Sequence, residues 1–489
     1  MKLVRSNRMA RAVLVAAAAL LSACAGLAPK AEPPGATAAA PAAWQAPLPH
    51  DGQLTELARW WQQFNDPVLS ELIEAAQSVN PSVAAARSRI EQARAARVAA
   101  QAAGGPTLDA NASASRGRQD LNAPLGSSAS VGLQAGWEVD VFGANRAGAE
   151  AARARLEGAS AGWHEARVAV AAEVAGQYTA LRSCEAQRAQ TGLDAASRAE
   201  TSRLTELSAK AGFQAPANAA LARASAAQGN SLLTQQRAQC ELALKALVAL
   251  TALDEPALRA RLVGGTARLP EPAQIAIARV PAGALAQRPD LYSAAREVIA
   301  ASADVSQAQA RRYPRISLVG SIGAARFSSG AGTLDGAVWS LGPVSVSLPL
   351  FDAGARRANV AAARARHTEA TAAYAGKLRG AVREVEEALV TLQSTADRGT
   401  DAQVATDGFG ASYVATQARY QGGLASLFEL EDARRTAVQA QSALIELQRE
   451  RVAAWIALYR ALGGGWSAAE MQADAAAAAG AAAGAAAEK

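Results

Sequence analysis

Asn80-Pro81-Ser82-Val83-Ala84-Ala85-Ala86-Arg87 opens a stretch rich in Ala and Arg that runs without another proline to Pro106. Arg288-Pro289-Asp290-Leu291-Tyr292-Ser293-Ala294-Ala295-Arg296 opens a second, which runs to Pro314. The opening prolines stand 208 positions apart, and so do the closing ones. Proline starts a helix readily and cannot continue one, so each copy predicts a helix of the same length. After each closing proline comes a run of period two and then a landing signal, Val141-Phe142-Gly143 in the first copy and Leu350-Phe351-Asp352 in the second. Proline-free stretches follow, ending at Ala211-Gly212-Phe213 and Gln421-Gly422-Gly423. A repeat of this length predicts a duplicated architecture.

Four segments alternate: 107–118, 130–142, 315–327 and 338–350. In the second, Val131, Leu133, Ala135, Trp137, Val139 and Val141 alternate with Gly132, Gln134, Gly136, Glu138 and Asp140; in the fourth, Val344, Val346, Leu348 and Leu350 alternate with Ser345, Ser347 and Pro349. A membrane-spanning strand needs about 9–11 residues, and these runs suffice. Gly/Ser-rich loops are expected around 121–128 and 329–336. Alternation alone fits two soluble hairpins equally well, and the helices break the tie. Phe142 to Gly212 is 70 residues and Phe351 to Gly422 is 71; as continuous helix each reaches roughly 105 Å, several times an ordinary domain. Shorter helices, from Phe213 to Leu253 with Ala286 to Tyr313, and from Gly423 to Leu462 with Pro67 to Gly104, stack end to end to nearly the same reach. The prediction is a long tube with strands at one end and hairpin tips at the other. Leu378, Val382, Val385, Leu389, Leu392 and Ala396 supply a heptad seam for it. Four strands are too few to close a barrel, so several copies must share one.

The first 23 residues read as a leader. Lys2, Arg5, Arg8 and Arg11 precede an apolar run too short for a mature anchor. Leu21-Ser22-Ala23-Cys24 resembles a bacterial lipobox, which makes Cys24 the expected lipidation site, a covalent lipid being the only attached group expected. Ala25 stands after the cysteine, where an Asp would suggest inner-membrane retention. Residues 24–58 read as a linker and 467–489 as an unpacked Ala-rich tail. The formal charge of +6 falls to +2 without the four leader charges, and no basic patch with interleaved aromatics marks a nucleic-acid partner. No stretch after residue 24 has the length and apolarity of a transmembrane helix. Asp66-Pro67 reads as a helix start.

Cys184 and Cys240 are equidistant from Gly212. If the chain turns back there as an antiparallel hairpin, the two thiols lie level and are expected to bond in an oxidising compartment.

The run from Trp60-Trp61 to Asp66-Pro67, Arg288-Pro289-Asp290-Leu291, Trp339 through Leu348-Pro349-Leu350-Phe351-Asp352-Ala353-Gly354, and Arg419-Tyr420-Gln421-Gly422-Gly423 resemble the TolC/OprM family. The ending Leu458-Tyr459-Arg460-Ala461-Leu462-Gly463-Gly464-Gly465-Trp466 is similar to its NodT-type outer membrane lipoproteins. The resemblance covers about residues 44–466. It implies an α+β membrane protein: a homotrimeric duct with one shared twelve-stranded barrel and a periplasmic helical barrel, repeats at 59–270 and 271–466, a periplasmic adaptor and an inner-membrane RND pump as partners, and residence in the outer membrane lipid. It also implies a gate at Phe428, Asp432, Arg434 and Arg435, with Asp432 pairing to either arginine. The tips at Gly212, Phe213, Gln214, Gly422, Gly423 and Ser426 are expected to meet the adaptor. The outer component of a type I secretion system and a periplasmic coiled-coil lipoprotein are the rival readings.

His50, His164 and His367 stand far apart, and no zinc-protease, nucleophile-elbow or P-loop spacing exists. The three Met and three Cys make no metal set. The reading is therefore a conduit and not an enzyme, with its energy supplied by a partner.

Overall fold

A computed structural model describes residues 45, 64, 66–118, 125–270, 285, 287–329 and 332–466. The leader, Cys24, Trp60-Trp61 and the tail lie outside these. In order the elements are α1 (Pro67–Val79), α2 (Pro81–Ala102), β1 (Thr107–Gly117), β2 (Gly126–Val139), α3 (Ala144–Lys210), α4 (Pro216–Thr251), α5 (Glu255–Leu262), α6 (Pro289–Ala310), β3 (Arg315–Ser329), β4 (Gly332–Ser347), α7 (Ala355–Gln421) and α8 (Leu427–Ala461). The duplication is metrical. Helices α2 and α6 have 22 residues each, and α3 and α7 have 67 each. At 1.5 Å per residue the long pair each extend about 100 Å. The copies run 208 residues apart from Pro81/Pro289 to the strand ends Val139/Ser347, then 211 apart from Ala144/Ala355 onward. The extra residues fall in the turn before α7, where Ala353 and Gly354 adopt left-handed backbone (φ 52° and 90°) and the Asp352 carboxylate accepts from Gly354 N and Arg356 N at 3.0 Å.

The chain forms two compact units. The first contains the sheet, with 88–160 and 293–376. Its strands pair antiparallel in the order β1-β2-β3-β4. The register sorts side chains into two faces. On one, Leu133 lies opposite Ile322 and Ile322 opposite Trp339; Trp137 lies opposite Leu318 and Leu318 opposite Val344. Most of these are open to the surroundings, Trp339 at 78%. The other face carries a serine ladder, with hydroxyls paired across strands at Ser113–Ser130, Ser115–Ser128 and Ser321–Ser340 (2.8 Å each) and at Ser317–Ser345 (2.6 Å). Gly132 and Gly323 sit opposite each other so closely that a Cβ on Gly323 would lie 2.4 Å from the Val131 carbonyl.

Two strands differ at both ends from the sequence expectation. β2 spans Gly126–Val139 in place of 130–142, and β4 spans Gly332–Ser347 in place of 338–350. Gly/Ser composition reads as loop, yet the ladder continues through it to the pair Ser329–Gly332, helped by the Ser328–Thr333 hydroxyl contact at 3.1 Å. At the other end β4 stops before Pro349, which has no N–H for a ladder. Beneath the strands Ala151 and Ala154 of α3 pack on Ala300 and Ala303 of α6, small residues that let the helices approach closely.

The second unit contains 45, 64, 66–87, 161–270, 285, 287–292 and 377–466 among the described residues. Asp66 caps α1 by accepting from Val68 N (3.1 Å) and Leu69 N (3.3 Å), and Pro67 takes the first helical position. Asn80 is extended (φ −67°, ψ 127°), so the chain breaks between α1 and α2 as Pro81 requires. Leu69, Leu72, Ile73 and Ala76 are buried, and α1 packs on α4. The fully buried Tyr178 donates to Asp66, and Arg182 lies over its ring at 4.9 Å while donating to Glu185 Oε2 and the Leu262 carbonyl at 2.9 Å. Burial, then the bond to Asp66, push the Tyr178 hydroxyl far above its ordinary pKa, so it is a neutral donor.

Cys184 and Cys240 are disulfide-bonded, tying α3 to α4 with Cα atoms 5.5 Å apart across 56 positions. Closing a loop of that size is worth roughly 4 kcal/mol in chain entropy, an upper figure. The seam of α7 is shifted from its expected course. Leu378, Val385, Leu389 and Leu392 are buried, Val382 is half-buried and Ala396 is exposed. Ala381, Ala388 and Thr395 are buried instead, so the seam keeps its seven-residue period but runs through 378, 381, 385, 388, 392 and 395, with Leu389 buried beside it.

Candidate functional site

The second unit carries two helical hairpins, α3–α4 and α7–α8, whose turns share one geometry. In the first, Phe213 N donates to the Ser208 carbonyl (2.9 Å) and Gly212 N to Ala209 (3.1 Å); in the second, Leu424 N donates to Arg419 (2.8 Å) and Gly423 N to Tyr420 (3.0 Å). This bond pair closes a helix through a left-handed residue, and Gly212 (φ 81°) and Gly423 (φ 73°) occupy that place. Gly423, and not Gly422, is therefore the counterpart of Gly212. Each glycine is followed by an apolar side chain in the open, Phe213 at 85% exposure and Leu424 at 74%.

Gln214 Oε1 accepts from Asn218 Nδ2 at 2.8 Å. Ser426 closes a capping box: its hydroxyl accepts from Glu429 N (3.2 Å) and Glu429 accepts from Ser426 N (2.7 Å). The Ser426 backbone N–H holds the Glu429 carboxyl below its ordinary pKa. A depressed carboxyl stabilises the fold fully above its unfolded-state value, and that contribution is lost as pH falls through the lowered value. At neutral pH the cap is intact.

The next turns of α8 divide the residues expected at the gate. Leu427, Leu430 and Arg434 form the buried stripe, while Phe428 (75% exposed), Asp432 and Arg435 lie on the open face. Asp432 pairs with Arg435 on the same helix. Arg434 does not reach Asp432. It pairs with Glu431, donates to Thr201 Oγ1 (2.8 Å) and Ser197 Oγ (3.1 Å), and stands 5.7 Å from the Tyr413 ring. Around it Ser197 and the Tyr413 hydroxyl are 2.7 Å apart, Thr205 and the Tyr420 hydroxyl 2.9 Å, Arg198 donates to Asp194 (2.8 Å) and Ser225 (2.9 Å), and Ser225 donates to Glu431 (2.8 Å). One polar network thus joins all four hairpin helices within a few turns of their tips. Sequence reasoning missed it. The signal was the spacing 427, 430, 434, which puts an arginine on the apolar stripe.

His164 packs against Trp163 and Trp466 with centroids 4.8 Å and 6.3 Å away; His50 lies outside the described residues. No described helix is long and apolar enough to cross a membrane. Strands with one apolar and one hydroxylated face, on a chain of paired long hairpins, define an outer-membrane channel component.

The outer membrane efflux protein model matches residues 72–253 and 280–464, and the chain belongs to that family. It is 30% identical over 433 residues to the solvent efflux pump outer membrane protein SrpC of Pseudomonas putida, covering 85% of this chain and 89% of that one. It is 30% identical over 456 residues to outer membrane protein OprJ of Pseudomonas aeruginosa (91% and 94%). The solved outer-membrane channel OprN superposes with a TM-score of 0.79 at 28% identity, over 89% of this chain and 99% of that one. The protein is an outer-membrane channel subunit of an efflux pump that extends into the periplasm.

Replacing Arg434 with Ala removes a buried guanidinium and leaves the half-buried Glu431, Ser197 and Thr201 each with one partner fewer, and is expected to lower the local opening free energy of the tips by about 3 kcal/mol. Arg435→Ala, on the exposed face, is expected to change it by about 1 kcal/mol or less. Amide hydrogen exchange over 197–205 and 427–436 reads both; equal effects would contradict the division between the two arginines.

Proposed function

We propose that the chain works as a homotrimer, the passive exit duct of a tripartite RND-type pump, anchored by a lipid on Cys24. The observation that carries the trimer is the unclosed sheet. Unpaired backbone groups on β1 and β4 cannot face lipid, and three copies of four strands make a twelve-stranded barrel that leaves no edge. Relatives named for solvent, toluene and pyoverdine export support small organic molecules as the cargo. The duct passes what an inner-membrane partner selects and supplies no energy itself. The lipobox Leu21-Ser22-Ala23-Cys24 supports the anchor, and the mature N-terminal peptide is expected to carry acyl chains by mass.

The open face of α8 fits a constriction. Around a threefold axis Phe428 supplies an apolar ring, and Asp432 with Arg435 supplies charge pairs able to exchange partners between copies. The tips, with Phe213 and Leu424 exposed, fit a periplasmic adaptor. A partner that binds the open form better opens the ring only by that difference in affinity, so the closed state must be modestly favoured. Phe428→Ala with Asp432→Ala is expected to raise single-channel conductance in planar bilayers several-fold and to admit large antibiotics into cells. Unchanged conductance from intact trimers would place the constriction elsewhere.

A further inference from the structure

The four crossings between helix and strand in the first unit gather more positive charge than the fold uses. Residues 138–146, 311–315 and 348–357 hold six arginines, Arg146, Arg311, Arg312, Arg315, Arg356 and Arg357, against Glu138, Asp140 and Asp352. They lie at one level. Arg315 is at the foot of β3 opposite Ser347, with Val139 opposite the adjacent Ile316, and Arg356 Nε donates to the Arg311 carbonyl at 3.0 Å.

The acids are largely committed. Asp352 takes the Arg356 side chain (3.1 Å) besides two backbone N–H groups, and Asp140 accepts from the backbone N of Arg146 (2.8 Å). Among the described residues Arg146, Arg311, Arg312 and Arg357 have no carboxylate within ion-pair distance and all four are exposed, while Arg315 shares the serine-ladder face of β3 and is not counted with them. Beside them stand the most exposed large apolar side chains in the unit, Leu350 (89%) and Phe351 (90%), with Tyr313 stacked on Phe142 at 5.0 Å.

Aromatic and aliphatic side chains next to unneutralised arginines, at the end of apolar strands, match the two halves of a bilayer interface. The rings and Leu350 take the acyl boundary, while the guanidiniums reach the phosphates, which they hold through paired N–H donors. We propose that this collar binds phosphate groups of anionic phospholipid in the leaflet facing the periplasm, fixing the depth at which the strands sit. The proposal rests on the strands being membrane-spanning.

The test uses the purified full-length trimer in detergent, titrated with phosphatidylglycerol or phosphatidylcholine and read by native mass spectrometry. Wild type is expected to retain phosphatidylglycerol in preference, and R311Q/R312Q/R357Q to weaken that binding by between ~10-fold and ~100-fold, at the scale of basic residues near an anionic surface. A control altered at R203Q/R223Q/R383Q is expected to behave as wild type. Equal retention of the two lipids, a triple variant that binds like the control, or full displacement by millimolar inorganic phosphate would each overturn the proposal, the last by showing a free-anion site. If the triple variant forms no trimers, R357Q alone gives the same readout, with a several-fold weakening expected and none overturning it. Wild-type conductance tests the duct separately, so a conducting trimer without lipid preference removes the lipid site alone.

Discussion

A backbone group inside a bilayer has no water to bond with, and everything in the first unit answers to that constraint. Gly126–Gly136 of β2 pair with both β1 and β3, and most of β3 pairs with both β2 and β4, whereas the outer edges of β1 and β4 are unpaired within the chain. An edge of that kind is tolerated in water but not in lipid. On the proposed reading the chain supplies a third of a barrel, and the missing partners are further copies of itself. The two-faced register follows from the same placement. Apolar rows such as Leu133–Ile322–Trp339 suit lipid, and the serine ladder suits a wet lumen.

The second unit solves a different problem, holding very long helices in register with little bulk between them. Alanine, the heptad seam of α7 and the Cys184–Cys240 bond hold the helices together. Near the tips the Arg434 network places buried charge among the packed helices, as the Arg182–Glu185 pair does further along α3. Within that network Arg434 Nε and Asp194 Oδ1 are buried without a hydrogen-bond partner among the described residues, so losing a further member is costly. The network occupies the buried side of α8 and leaves Phe428, Asp432 and Arg435 on the open face. The proposed opening of the ring fits that division between a buried side and an open one.

The architecture was legible because proline and glycine punctuate it. Pro81 with Pro106, and Pro289 with Pro314, bound the helices, and the 208-residue offset carried the reading from one copy to the other. The cysteine pair was legible through its symmetry about Gly212. The strand ends were less so: Gly126 and residues 333–336 have loop composition, and only the cross-strand ladder makes them strand. The role of Arg434 was legible only in part. Its neighbour Arg435 matches the resemblance equally well by type, and what separates them is a 100° rotation around α8 that buries one and exposes the other. Of the adjacent Gly422 and Gly423 only the second is left-handed and matches Gly212, and backbone handedness is not written in composition.

Interprotomer pairing of the strand edges is the claim on which the rest stands. One cysteine placed on β1 at Ala112, combined in turn with one at each position from Val338 to Val344 on β4, reads it after oxidation in membranes. Crosslinks at alternating β4 positions, giving covalent species of up to three chains, are the expected result. Folded protein that crosslinks only within one chain, or into species of more than three, would contradict a barrel shared among three copies.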